Sequence, residues 1–125
     1  MGVLIVDDSM FMRSLITKIF NKHGINILAE AANGKEAIVK YKELKPDVVT
    51  MDLMMNEMSG LEAIKEIMKI DPKAEIIVCS SMGQKAFIKE AIELGARGFV
   101  IKPFDEDALI DEVEKAILHK KVDNT

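Results

Sequence analysis

The chain has 125 residues, enough for one domain that buries roughly two thirds of its unfolded surface. Its net charge of −4, with no cluster of Lys and Arg, argues against a nucleic-acid partner, because neutralising phosphates needs a basic face. No run approaches the roughly 20 apolar residues that span a bilayer, and the N-terminus shows neither a basic leader nor a cleavage pattern. A cytoplasmic protein is the simplest expectation, and a single cysteine, Cys79, agrees with a reducing compartment.

In chain order, the first apolar run is VLIV at 3–6, which ends abruptly in two adjacent acids, Asp7 and Asp8. Phe11, Leu15, Ile16, Ile19 and Phe20 then form a helical stripe, stopped by Gly24. The run ILAEAA at 27–32 follows, and Asn33 with Glu36 caps a helix whose inner face is Ala37, Ile38, Tyr41 and Leu44. DVVTM at 47–51 leads into Asp52. Ser59 and Glu62 make a capping box before Leu61, Ile64, Ile67 and Met68. EIIVC at 75–79, which makes Cys79 a buried strand residue, ends at Ser80 and Ser81. A fourth helix carries Ile88, Ala91 and Ile92 and stops at Gly95. FVI at 99–101 ends at Lys102–Pro103. The last helix carries Leu109, Ile110, Val113, Ala116 and Ile117. Asp105, Glu106 and Asp107 at its start and His119, Lys120 and Lys121 at its end complement the helix dipole. The domain is expected over 1–121, with a short polar tail at 122–125.

Five β-α units in strict alternation predict an α/β fold, a doubly wound parallel sheet with helices on both faces. For five strands the common order is 2-1-3-4-5, and ligands bind at the carboxyl ends beside the switch between strands one and three. That rule brings Asp7, Asp8 and Asp52 together and sets Ser80 and Lys102 beside them. Two unit charges about 4 Å apart repel by roughly 4 kcal/mol at an effective dielectric of 20, so three carboxylates call for a proton or a cation. The donors are hard oxygens with no His or Cys at ligand spacing, which favours Mg²⁺ over Zn²⁺. Carboxylate, Mg²⁺, lysine and hydroxyl around one point form a phosphoryl-transfer site. Each residue alone has a plainer use: Asp8 as a helix cap, Asp52 as a turn residue, Lys102 as a surface charge. The set is more specific than its members. His23 and His119 are expected at the surface. Six methionines (Met10, Met12, Met51, Met54, Met55 and Met58) are expected mostly as core filling.

IVDDSMFMR, VVTMDLMMNEMSGLEAI, IIVCSSMG and GFVIKPF stand in that order along the chain and resemble the motifs of response regulator receiver domains, a flavodoxin-like (βα)5 family. Within that family the similarity is greatest to single-domain chemotaxis regulators, signalling proteins that catalyse only their own phosphorylation and dephosphorylation. The resemblance implies that Asp52 is the phosphoacceptor, that Asp7, Asp8, Asp52 and the backbone carbonyl of Met54 hold Mg²⁺, and that Ser80 and Lys102 contact the phosphoryl group. It implies a cis Lys102–Pro103 bond and a switch in which Ser80 moves inward and Phe99 follows. The implied partners are a chemotaxis-type histidine kinase, a motor switch or adaptor protein on the face made by helix four, strand five and helix five, and a phosphatase. Neither a nucleic-acid nor a membrane partner is expected, and the expected state is a monomer. Asn56 stands where the family usually has proline, so the loop after Asp52 is less constrained. Met54 and Met82 occupy positions that tune dephosphorylation. The alternative is a phosphorelay receiver that passes its phosphoryl group to a histidine phosphotransfer protein. A haloacid-dehalogenase-type phosphatase would need an acid where Met54 stands, and an FMN binder would not set two carboxylates in its first loop.

Overall fold

The protein, described by a computed structural model over residues 2–123, alternates strand and helix five times. The elements are β1 (Val3–Val6), α1 (Met10–Lys22), β2 (Ile27–Ala31), α2 (Gly34–Leu44), β3 (Val48–Asp52), α3 (Gly60–Ile70), β4 (Ile76–Ser81), α4 (Lys85–Leu94), β5 (Gly98–Lys102) and α5 (Glu106–Asp123). The strands pair in parallel in the expected order 2-1-3-4-5.

Side chains alternate across a strand, so each central strand feeds two cores. Leu4, Val49, Met51, Ile76 and Val78 pack with Ala37, Tyr41, Ala63, Ile64, Ile67, Ile88 and Ala91 under α2, α3 and α4. Val3, Ile5, Val48, Ile77 and Cys79 pack with Ile16, Ile19, Phe20, Leu109, Val113 and Ala116 under α1 and α5. Both faces of β1, β3 and most of β4 are therefore buried, which is why these runs read as continuously apolar.

The structure moves several expected boundaries. β3, β4 and β5 run past their apolar cores to include Asp52, Ser80, Ser81 and Lys102, so these residues are the last of their strands. The residue capping α1 is Ser9, whose side chain accepts from the Met12 N–H at 3.1 Å; Asp8 is not the cap and is exposed. Phe11 heads the expected stripe of α1 yet is 76 % exposed, because α1 buries only Ile16, Ile19 and Phe20. Met51 is fully buried and Met12, Met55 and Met58 pack at the core's edge, but Met10 and Met54 are exposed. α5 continues through Asp123, so Val122 and Asp123 are helical, whereas residues 124 and 125 of the expected tail lie outside the described residues. The caps at Asn33 and Ser59 form as expected, accepting from Glu36 N–H and Glu62 N–H.

Candidate acidic site at the carboxyl end of the sheet

The register sets the site. Val6 pairs with Met51, which brings Asp7 level with Asp52, and Asp52 pairs with Cys79, one residue before Ser80. Ser80 pairs with Ile101 and Ser81 with Lys102. Behind Asp52, α3 begins so close to β3 that a Cβ on Gly60 would lie 2.2 Å from the Asp52 carbonyl oxygen, an approach only glycine permits. The loop between them passes Asn56 and takes Glu57 through a left-handed conformation, at φ 65°.

Asp7, Asp8 and Asp52 offer carboxylate oxygens within 4.8 Å of one another. Asp7 is buried and doubly tethered: its Oδ1 accepts from the Ser9 N–H at 2.9 Å and its Oδ2 from Lys102 Nζ at 2.8 Å. Lys102 is farther from Asp52, at 3.5 Å from Oδ1, and that same oxygen accepts from the Met54 N–H at 3.2 Å. Lys102 therefore contacts Asp7 and Asp52 directly. The Met54 side chain is exposed, and the Lys102–Pro103 peptide bond is cis.

Burial, and then the neighbouring charge of Asp7, push the Asp52 carboxyl up to about 6, and Asp8 adds to this, although Lys102 and the Met54 N–H pull it down. Burial would lower the Lys102 ammonium, but the hydrogen bond to Asp7 and the charges of Asp52 and Asp7 outweigh it and hold the group above its ordinary value. One ammonium does not balance three carboxylates. The donor set is entirely hard oxygen and carries excess negative charge, so it fits a small divalent cation of the Mg²⁺ kind.

Ser80 is fully buried, and its hydroxyl donates to the Gln84 side-chain oxygen, which also accepts from the Ser81 N–H at 2.9 Å. Gln84 stands at the start of α4, where no side chain caps the helix. Phe99 is 46 % exposed. A pocket of about 580 Å³ lies beside it, with Met82, Lys102, Pro103, Asp111 and Glu112 in its wall. Met82 itself is 80 % exposed.

Two participants escaped the sequence reading. Arg13 donates from Nη1 to the Asp7 carbonyl oxygen at 2.7 Å and from Nε to Glu30 at 2.9 Å, fixing the turn that presents the two acids. Gln84 has no spacing rule that singles it out, because its role is to occupy the Ser80 hydroxyl.

A doubly wound sheet with an acidic, lysine-bridged pocket at its switch point defines the class structurally, and comparison with known proteins gives it a family. The chain belongs to the response regulator receiver domain family, whose pattern matches residues 3–114. It is thus a signalling protein. The chain is 57% identical over 113 residues to "Chemotaxis protein CheY" of Thermotoga maritima, covering 90% of this chain and 94% of that one. It is 49% identical to the protein of that name from Bacillus subtilis, covering 92% and 96%. Among solved structures, the CheX-CheY-BeF3-Mg²⁺ complex of Borrelia burgdorferi contains a chain 38% identical, with a TM-score of 0.86 and coverage of 90% of this chain and 86% of that chain. Among the described residues, no helix is long and apolar enough to cross a membrane.

Proposed function

We propose that this protein is a stand-alone chemotaxis or motility regulator of the cytoplasm, switched by phosphorylation of Asp52. The observation that carries the reading is the buried Asp52 carboxylate, set against Asp7 and Lys102 and short of positive charge. The likeness to proteins named for chemotaxis over nearly the whole chain supports the biological role.

Asp7, Asp8, Asp52 and the Met54 carbonyl would hold Mg²⁺, which when bound neutralises charge on the transferring phosphoryl group. The chain's own residues account for the remainder. Met54 N–H and Lys102 engage Oδ1 of Asp52, which leaves Oδ2 as the nucleophile. Attack at phosphorus forms the O–P bond of an aspartyl phosphate. It breaks the P–N bond to the donor histidine, or the P–O bond of acetyl phosphate, and the leaving group departs with that electron pair. Lys102 Nζ, already at the pocket floor, pairs with a phosphoryl oxygen.

Ser80 gives the readout. Its hydroxyl leaves Gln84 for the phosphoryl group, and the Phe99 ring turns from its half-exposed position into the space so freed. The face formed by α4, β5 and α5 then presents a different surface to a motor switch or adaptor protein. A shift from 1:99 to 99:1 takes about 5.5 kcal/mol of differential stabilisation. A chemotaxis-type histidine kinase supplies the phosphoryl group, and the receiver acts as a monomer.

Incubation with acetyl phosphate and Mg²⁺ should label the wild type and leave Asp52→Asn unlabelled; equal labelling would remove Asp52 from the role. With beryllium fluoride, the wild type should bind a purified flagellar or archaellar switch component or its adaptor. Transfer of the phosphoryl group to a histidine phosphotransfer protein, without such binding, would make it a relay receiver.

A further inference from the structure

At the opposite end of the sheet four side chains from three separate segments converge. Glu75 directly precedes β4, Arg97 directly precedes β5, and His119 and Asp123 stand one helical turn apart near the end of α5. Glu75 is only 4 % exposed. Arg97 donates from Nε to Glu75 Oε1 at 2.9 Å. The Nδ1 atom of His119 lies 3.1 Å from Glu75 Oε2, 3.7 Å from Asp123 Oδ2 and 2.6 Å from Arg97 Nη2.

The same Arg97 Nη2 lies 2.8 Å from His119 Nε2, so a neutral imidazole protonated on Nδ1 donates to Glu75 and turns its other nitrogen to the guanidinium. That arrangement still sets one guanidinium against the two carboxylates that meet the ring. An ion that carries no hydrogens would be faced with lone pairs by the imidazole and by both carboxylates.

The geometry is close to what such an ion requires. Tetrahedral ligands at about 2.0–2.1 Å from a zinc-class ion are about 3.4 Å apart. The 3.1 and 3.7 Å separations at His119 bracket that spacing, and one ligand atom from each of the three residues lies within 4.8 Å of the other two. An adjoining pocket of about 330 Å³, lined by Met68, Pro72, Lys73 and Gly95 among others, leads to the cluster. The Arg97 side chain is 41 % exposed, so its guanidinium can swing into water while its backbone N–H stays bonded to the Ile76 carbonyl.

We propose that Glu75, His119 and Asp123 bind one divalent cation of the zinc class, with water in the fourth position and the Arg97 guanidinium displaced. A dication balances the two carboxylates, where Arg97 balances one. The imidazole ligand separates this site from the all-oxygen pocket of Asp7, Asp8 and Asp52, which prefers Mg²⁺. The two sites share no residue, so this one stands independently of any role for Asp52. The ion would tie the end of α5 to the start of β4.

The test is a Zn²⁺ titration of the full chain against a chromophoric chelator in millimolar Mg²⁺, which saturates the acidic pocket. One equivalent is expected to bind. His119→Ala and Asp123→Asn, both on the outer part of α5, should each weaken binding roughly tenfold or more. Asp52→Asn should leave it unchanged, and Arg97→Ala, which removes the competing cation, should tighten it. Co²⁺ in place of Zn²⁺ should give the visible bands of a tetrahedral site, absent in His119→Ala. Folding of each variant is checked by circular dichroism. Zn²⁺ affinity within twofold of wild type in both α5 variants would overturn the proposal, as would binding abolished by Asp52→Asn or displaced by Mg²⁺.

Discussion

The two ends of the sheet solve the same problem with different cations. At the carboxyl end, buried Asp7 and Asp52 share Lys102, a compact ammonium on a flexible stem, and exposed Asp8 stands beside them. At the amino end, buried Glu75 takes the planar fork of Arg97, whose Nε and Nη2 lie 2.9 and 3.4 Å from its two oxygens. A point charge satisfies one acid well and its neighbour partly, whereas a guanidinium pairs one carboxylate with both oxygens. The carboxyl end is thus left with unbalanced negative charge and remains open to a cation and a phosphoryl group. The amino end is closer to a structural clasp, with His119 and Asp123 beside the Arg97–Glu75 pair.

Removing the cation at each end sharpens the contrast. Lys102→Met leaves two buried carboxylates without their counter-charge and should cost about 3 kcal/mol in chelator. Mg²⁺ should restore part of this, as urea unfolding with and without the ion would show; a loss that Mg²⁺ does not touch would deny the pocket its cation.

Asp52→Asn should move stability in the opposite direction. The folded carboxyl titrates at about 6 against 3.8 for the ordinary group, so the folded state binds the extra proton and loses stability as pH rises between about 4 and 6. Metal-free Asp52→Asn should therefore be more stable than wild type at pH 7 by up to about 2–3 kcal/mol. The gain should vanish below pH 4; a gain that persists there would refute the electrostatic cause.

Arg97→Met should cost less, about 1–2 kcal/mol, since Arg97 is partly exposed and His119 still faces Glu75. Mg²⁺ should not restore it. The smallest effect is expected at Gln84→Ala, which deletes one hydrogen-bond acceptor worth about 1 kcal/mol. Its sign is informative. Freeing Ser80 should favour the switched arrangement, so Phe99 ring resonances should shift towards those of the beryllium fluoride form and acetyl phosphate labelling should quicken a few-fold. Slower labelling would mean that Gln84 instead orders the site.

The acidic site was legible from residues alone because two local rules point to it. Short continuous apolar runs locate buried strands, and doubly wound sheets place function where those runs end. Asp7, Asp8, Asp52, Ser80 and Lys102 all fall there. The sequence leaves a cap at Asp8 open because Asp and Ser both cap well and stand side by side; the turn fixed by Arg13 and by Asp7 accepting from Ser9 N–H gives the cap of α1 to Ser9. Met10, Phe11 and Met54 are expected in the core yet are exposed. Met10 and Phe11 open α1, where helical spacing does not yet say which face turns inward, and Met54 lies in the loop after β3, where no spacing rule applies.

The sequence by itself determined the alternation of strands and helices, hence the two-faced parallel sheet and the carboxyl-end acids, because hydrophobic period and helix capping act within a few residues. Tertiary structure decided which cation meets which acid. Lys102 meets Asp7 across 95 residues and His119 meets Glu75 across 44, separations set by strand register and by the course of α5 over the sheet. The same is true of the Ser80–Gln84 contact, although only four residues part them. It exists because β4 turns directly into an uncapped α4, leaving the Gln84 oxygen free to hold the serine.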